Sequence, residues 1–216
     1  MNTSANYTKE IIDAVQEGSV LPVMEYFYTI QGEGFHSGVP CYFIRLAGCD
    51  VGCIFCDVKE SWEKGNHPLY SIEEIVVWVS STKATKVVVT GGEPLMHQLD
   101  RLCTLFQGQQ IDCHIETSGA HPYSGHWDWF TLSPKKRKLP LEENYAKADE
   151  LKIIISRVND FLFAEQQAEK VSSECKLYLQ PEWSKESEIL NLIIEYSKEH
   201  PYWNISLQTH KYMNIP

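Results

Sequence analysis

Three cysteines crowd into eight residues as Cys49-x-x-x-Cys53-x-x-Cys56, directly after an apolar run and Gly48. In one tight loop, three thiolates can converge on a single soft centre, which points to zinc or to iron and sulfide. A structural zinc ion normally takes four protein ligands, and the loop supplies three. Asp57 is adjacent, and a distant histidine would complete such a site. A [4Fe-4S] cube held by three cysteines keeps one iron open to a small molecule, which is chemically useful. A disulfide pair with one free thiol is the plainest alternative, and an odd total of seven cysteines fits poorly with a fully paired framework.

Other polar groups fall at the ends of strand-like runs, where parallel α/β sheets place their ligands. Thr90-Gly91-Gly92-Glu93-Pro94 follows one run, Glu116-Thr117-Ser118-Gly119 a second, Ser133-Pro134-Lys135 a third and Gln180-Pro181 a fourth. Each taken alone also reads as an ordinary turn or cap. Arg45 interrupts the apolar run Tyr42–Leu46, where a buried guanidinium needs an anionic partner. That partner is either a ligand carboxylate or a structural ion pair. The basic run from Lys135 to Lys138 reads as a solvated loop, with a role assigned to Lys135 alone.

The elements that must carry these groups alternate. Strand patterns cover Tyr42–Leu46, Lys86–Thr90, Asp112–Glu116, Trp129–Leu132, Leu151–Ile155, Lys176–Gln180 and Asn204–Leu207. Ser71 and Glu74 have capping-box spacing and open a helix through Ile72, Ile75, Val76 and Val79. Helical spacing returns at Leu99, Leu102 and Phe106, then from Phe161 to Val171. It returns again at Ile189, Leu192, Ile193 and Tyr196, read as a core-facing stripe. Alternation of this kind predicts an α/β fold with a mostly parallel sheet and helical crossovers. Residues 1–24 read as an appendage, with a short amphipathic helix at Ile11, Ile12 and Val15 ending near Gly18 and Pro22 as a stop. Residues 25–216 read as a single domain.

With 216 residues, 43% of them hydrophobic and 22% charged, the chain has the composition of a globular domain with its own core. A formal charge of -10 argues against broad nucleic-acid binding. No apolar run approaches the roughly 18 residues of a membrane span. Lys9, Glu10, Asp13 and Glu17 break any secretory apolar core near the start. A cytoplasmic enzyme without nucleic-acid or membrane partners is the expectation.

The CxxxCxxC loop, with Phe55 before its third cysteine, resembles the radical S-adenosylmethionine superfamily. The resemblance implies that Cys49, Cys53 and Cys56 each ligate one iron of a [4Fe-4S] cluster. S-adenosylmethionine would chelate the fourth iron and be cleaved to a 5'-deoxyadenosyl radical. Gly92 and Glu93 match that superfamily's GGE motif, glycine 92 letting the backbone approach the ammonium group. From about Tyr26 to Pro216 the chain further resembles the 7-carboxy-7-deazaguanine synthase family. The stretches carrying this are Phe27-Tyr28-Thr29-Ile30-Gln31-Gly32-Glu33-Gly34 and the C-terminal Gln208-Thr209-His210-Lys211-Tyr212-Met213-Asn214-Ile215-Pro216.

That resemblance implies a trimmed, partial (β/α) barrel, a homodimer, and ring contraction of 6-carboxy-5,6,7,8-tetrahydropterin to 7-carboxy-7-deazaguanine with loss of ammonia. The radical would abstract hydrogen from carbon 6 and S-adenosylmethionine would be regenerated, with flavodoxin or ferredoxin as electron donor. Ile30, Gln31, Gly32 and Glu33 would line the pterin edge, Arg45 would pair with its carboxylate, and Thr90, His210 and the terminal carboxylate of Pro216 would complete the pocket. Phe55, Asp57, Gly92, Glu93, Ser133, Pro134, Lys135, Gln180 and Pro181 would hold S-adenosylmethionine, and Glu33 and His210 would transfer protons. One position departs from the family, which usually carries Thr or Ser two residues after the third cysteine to help bind Mg2+; here it is Val58. The competing readings are another radical enzyme of the superfamily, such as a glycyl-radical activase, and a zinc-stabilised binding module without catalysis.

Overall fold

The computed structural model describes residues 8–56 and 58–216. Thr8 caps α1 (Lys9–Gln16), and the chain then enters the long strand β1 (Val20–Ile30). β2 (Pro40–Leu46), β3 (Leu69–Ser71), α2 (Ile72–Ser80), β4 (Lys86–Gly91), α3 (Asp100–Gly108), β5 (Asp112–Thr117) and β6 (Trp129–Leu132) follow. The second half runs α4 (Glu142–Tyr145), β7 (Glu150–Ile155), α5 (Asn159–Ala168), β8 (Lys176–Pro181), α6 (Glu186–Glu199), β9 (Trp203–Ile205) and α7 (Thr209–Met213).

The nine strands form one open sheet in the order β3-β1-β2-β4-β5-β6-β7-β8-β9. From β2 through β9 the neighbours are parallel, and β1 runs antiparallel to both β2 and β3. This is the expected α/β partial barrel, left open between β3 and β9. Its outer side carries the apolar core, where Ile44, Leu46, Val87, Val89, Ile115, Leu132, Leu151 and Ile153 meet Ile75, Val79, Leu102, Phe106 and Ala164 of the helices. The capping box closes as the spacing predicts: Ser71 Oγ accepts from Glu74 N at 3.3 Å, and Glu74 Oε2 accepts from Ser71 N at 2.9 Å. Along α6, Ile189 and Ile193 are buried as expected, whereas Leu192 lies exposed, because the stripe against β8 and β9 is narrower than its spacing suggests.

The appendage boundary needs correcting. β1 starts at Val20, Leu21 and Val23 are core residues, and Val20, Leu21 and Pro22 pair with Ser71, Tyr70 and Leu69. Pro22 does not stop the chain. It needs no donor at this end of the strand, its carbonyl accepts from Ala47 N at 2.9 Å, and the register shifts between Val23 and Glu25. The cut at residue 24 therefore falls inside a strand.

Side chains alternate across each strand, so residues out of phase with the apolar core face the inside of the curved sheet. That inner stripe is Phe43 and Arg45, Thr90, His114 and Glu116, Thr131 and Ser133, Glu150 and Lys152, and Gln180. Apart from the small apolar cluster of Cys41, Phe43 and Val88, it is polar where the outer stripe is apolar, and it is where the fold places its chemistry. If residues 20–23 belong to the fold, Leu21→Ala costs about 2–5 kcal/mol of unfolding free energy. Urea denaturation checks this; a loss within ~0.5 kcal/mol would return those residues to an appendage.

Candidate active site

A cavity of about 290 Å³ opens over the inner stripe. Its lining includes Cys49, Cys53, Phe55 and Cys56 on one side, and Ile30, Gln31, Gly32, Glu33, Arg45, Thr90, Glu116, Lys152, His210 and Pro216 elsewhere. Ser133, Lys135, Gln180 and Pro181 border it as well. The structure thus gathers into one space residues from both ends of the chain.

The cysteine loop is seated by the turn after β4. Gly92 N donates to Leu46 O at 2.9 Å and Glu93 N to Gly48 O at 2.8 Å. A Cβ on Gly92 would stand 2.4 Å from Gly48 O and 2.9 Å from Cys49 Cβ, so glycine is required here by the cysteine loop itself. On the far side, Gly48 N and Cys49 N donate to the carbonyls of Ser61 and Trp62 at 2.6 and 3.2 Å. Asp50 ties the loop to its neighbours through His121 at 2.9 Å and Lys138 at 2.7 Å.

Glu93 is the centre of this seat. It is 1% exposed, and its carboxylate accepts from Leu95 N at 3.0 Å, Ser118 N at 2.8 Å and the hydroxyls of Thr117 and Ser118. Of the residues expected at S-adenosylmethionine, Glu93 lies outside the cavity lining, with its carboxylate engaged at the ends of β4 and β5. Pro134, also expected at that ligand, is buried and outside the cavity lining. Asp57 lies outside the described residues.

The donor set suits an iron–sulfur cluster. The three cysteines are free thiols facing the same cavity. Burial pushes the Cys49 and Cys53 thiols up, while the amides of Val51 and Gly52 favour a thiolate at Cys49, as do Lys135 and Arg137 at Cys53. Among the described residues, no three His, Cys, Asp or Glu side chains are gathered as the shell of a single ion. In a cube each of the three thiolates would bind a different iron.

The opposite wall is built around a lysine. Lys152, 4% exposed, lies 2.5 Å from Glu33 Oε2 and 3.7 Å from Glu116 Oε2. Gln208 Nε2 donates to Glu33 Oε1 at 2.8 Å, and Gln31 Nε2 to Glu116 Oε1 at 2.9 Å. Burial alone would raise the Glu33 carboxyl, but the Lys152 charge and hydrogen bond, with help from Gln208 and His210, hold it at about 2. Burial works against the Lys152 ammonium too, and the glutamates around it still raise its pKa. Glu33 is therefore a fixed anion, and so a weak base in this arrangement; it is better suited to accept hydrogen bonds than to remove protons.

Arg45 meets the structural alternative weighed for it. Its Nε donates to Glu25 Oε1 at 2.5 Å across the β1–β2 ladder, while the residue still lines the cavity. Gly32 carries no side chain because the His210 ring lies against it: a Cβ would come within 2.2 Å of Nδ1. Thr209 N and Oγ1 donate to Gly32 O at 2.9 and 3.0 Å, and Thr29 Oγ1 donates to Pro216 O at 3.3 Å. The expected polar tail is thus the short helix α7, docked beside the Gln31–Glu33 turn. Lys135 is half-buried, desolvation lowers its pKa, and it donates to Ser133 O and Oγ at 2.7 and 2.5 Å. Gln180 Oε1 accepts from Ser206 Oγ at 2.7 Å.

Sequence reasoning assigned no role to Lys152, Gln208 or Trp183, which also line the cavity. For Lys152 a signal existed. It is a lysine within an apolar strand, the same anomaly that drew attention to Arg45.

An open parallel sheet carrying a three-cysteine loop at its ligand-binding end defines a radical S-adenosylmethionine enzyme, and the Radical SAM superfamily pattern matches residues 43–132. Known relatives narrow this. The chain is 54% identical over 210 residues to the 7-carboxy-7-deazaguanine synthase of Flavobacterium psychrophilum, covering 97% of this chain and 99% of that one. With the 7-carboxy-7-deazaguanine synthase of Escherichia coli strain K12 it shares 34% over 221 residues, 90% of this chain and 98% of that one. The crystal structure of QueE from Escherichia coli superposes with a TM-score of 0.81 at 30% identity, covering 94% of this chain and 99% of that chain. The chain belongs to the 7-carboxy-7-deazaguanine synthase family. The family brings with it a [4Fe-4S] cluster and S-adenosylmethionine, and sets aside the zinc-module and activase readings.

The Glu33–Lys152 pair has a signed pH consequence. With Glu33 lowered from 4.5 to about 2, its contribution to stability is complete above 4.5 and is lost as pH falls towards 2. Lys152→Met leaves the glutamates unpaired, costing about 3–5 kcal/mol at neutral pH. That cost shrinks on acidification, as the freed Glu33 carboxylate takes up a proton. Unfolding measured across the acid range checks this; a cost independent of pH would contradict the pairing.

Proposed function

We propose that this enzyme converts 6-carboxy-5,6,7,8-tetrahydropterin to 7-carboxy-7-deazaguanine, with contraction of one ring and loss of ammonia. The observation that carries the reading is the pairing of two walls in one cavity. Three cysteines face a polar surface of Gln31, Glu33, Arg45, Thr90 and His210, whose groups match a carboxylated pterin. When bound, the cluster and S-adenosylmethionine supply hydrogen-abstracting radical chemistry.

Within this reading the chain's own residues position and protect. Glu33, held anionic, accepts from the guanidine-like edge of the pterin, and Gln31 and the Pro216 oxygen bound by Thr29 flank it. Arg45 keeps Glu25 on its Nε and turns the remaining donors of its fork to the substrate carboxylate, a bidentate geometry that lysine lacks. Thr90 adds a hydrogen bond. Ser133, Lys135, Gln180 and Pro181, with Gly92 and Phe55, bind S-adenosylmethionine. His210, stacked beside Gly32, is the better candidate of the two proposed proton-transfer groups. Phe27 and Phe43, stacked at 5.6 Å, help keep water from the reacting atoms. A homodimer and a flavodoxin- or ferredoxin-type electron donor complete the proposal.

Magnesium fits poorly. Val58 lines the cavity with a side chain that carries no oxygen, and its carbonyl already accepts from Ser61 N and Oγ, so no step is assigned to the metal. Mass spectrometry of the product from anaerobically reconstituted protein, S-adenosylmethionine, dithionite and the carboxypterin tests the reading. The 7-carboxy-7-deazaguanine mass is expected, absent from Cys53→Ala, with turnover only weakly stimulated by Mg2+. Intact pterin alongside cleaved S-adenosylmethionine would assign the radical chemistry to another substrate, and a strong Mg2+ requirement would refute the account of Val58.

A further inference from the structure

One layer beneath the cavity floor lies a second, smaller chamber. Each parallel strand runs towards the cavity, so residues two positions earlier on the inner stripe lie one layer deeper. His114 is thus below Glu116, and Glu150 below Lys152. Together with His36, Trp129 and Thr131 they enclose the chamber, and Gln31, Glu33 and Glu116 line both it and the cavity above. About 10 Å³ of the chamber is open to the centre of a water molecule, the room for one.

Its walls are polar. Glu150, 2% exposed, accepts from Phe35 N at 3.0 Å and from Trp129 Nε1 at 3.2 Å, and burial raises its pKa. The His36 and His114 rings lie 4.6 Å apart, and Trp129 packs edge-on to His36. His36 Nε2 is buried and has no partner among the described residues. A buried ring nitrogen of this kind costs free energy unless something satisfies it. His36 as a whole is half-buried, between exposed Phe35 and Ser37.

We propose that the chamber binds one water molecule, donating to His36 Nε2, and that this water links the active-site carboxylate Glu116 to bulk solvent through His36. The route leaves from the floor of the site, opposite the mouth that substrate and S-adenosylmethionine would close. The Glu116 carboxylate takes up one proton released in the site and passes it to the water, the water passes one to His36 Nε2, and His36 Nδ1 releases one outside. Charge balances at every step, and the reverse sequence imports a proton. This role rests on the synthase reading, in which aromatisation takes a proton from carbon and ammonia loss delivers one to nitrogen behind a closed mouth. His36 is then a relay residue that touches neither substrate nor cofactor.

A crystal structure of the full chain at a resolution that shows ordered water tests the site itself. Density is expected in the chamber at roughly 2.7–3.2 Å from His36 Nε2, and an empty chamber overturns the proposal. His36→Ala is expected to lower kcat about 10-fold, less than the ~10²-fold or more that loss of a direct acid–base group costs. KM and iron content stay unchanged, and added imidazole restores turnover. His36→Gln, which fills the space, shows the same loss without rescue. Unaltered kcat in His36→Ala, or a loss that imidazole leaves untouched, overturns the relay. Failure of the wild-type protein to form the deazaguanine would sink the synthase reading instead, while the density still decides whether the water site exists.

Discussion

A single buried carboxylate fixes where the cysteines sit. Glu93 holds the ends of β4 and β5 together by accepting from the Ser118 amide and the hydroxyls of Thr117 and Ser118. Its own amide, with that of Gly92, pins the chain at Leu46 and Gly48. A carboxylate this deeply buried is tolerable only with its acceptor sites filled. Its neighbours fill them, and so make three adjacent strand ends one rigid unit. The seat has no space for a side chain at Gly92, which is why Gly-Gly-Glu occurs there as a block.

The opposite wall obeys a related constraint with opposite charge. One ammonium, Lys152, serves Glu33 and Glu116 from a position closed to solvent. Pairs of this kind contribute little net stability, since desolvation offsets most of the attraction. What they provide is order in the absence of ligand. Glu33 is anionic and immobile before anything binds, so a substrate meets a prepared surface and less ordering entropy is spent on binding. The polar inner stripe thus costs stability that the apolar outer stripe supplies, an arrangement expected where an enzyme must bind a small polar ring system.

Much of this was legible from residue spacing. The cysteine triplet, the Ser71–Glu74 capping box and the strand Trp129–Leu132 all stand where local pattern placed them, because each depends on neighbours a few residues away. The first strand was hidden by Pro22, whose meaning changes once β3 supplies an edge and the register shifts to accommodate it. The structural partners of Glu93, Thr117 and Ser118, arrive from another strand and left no local sign in the sequence. Lys152 escaped notice for the same reason, its chief partner being Glu33, 119 residues earlier. Long-range electrostatic partners have no local signature; a charged residue inside an apolar strand is the one trace they leave.

The central claim is that the Gly92–Glu93 seat presents Cys49, Cys53 and Cys56 as ligands of a cluster open to S-adenosylmethionine. Electron paramagnetic resonance of the reduced, anaerobically reconstituted protein, recorded with and without S-adenosylmethionine, tests it most directly. The wild-type chain and Gly65→Ala, whose added methyl meets nothing within 4 Å, should show a reduced cluster signal that shifts when S-adenosylmethionine is added. Gly92→Ala should hold little iron and give no such shift. A cluster signal in the wild type indifferent to S-adenosylmethionine, or a Gly92→Ala protein indistinguishable from it, would contradict the account.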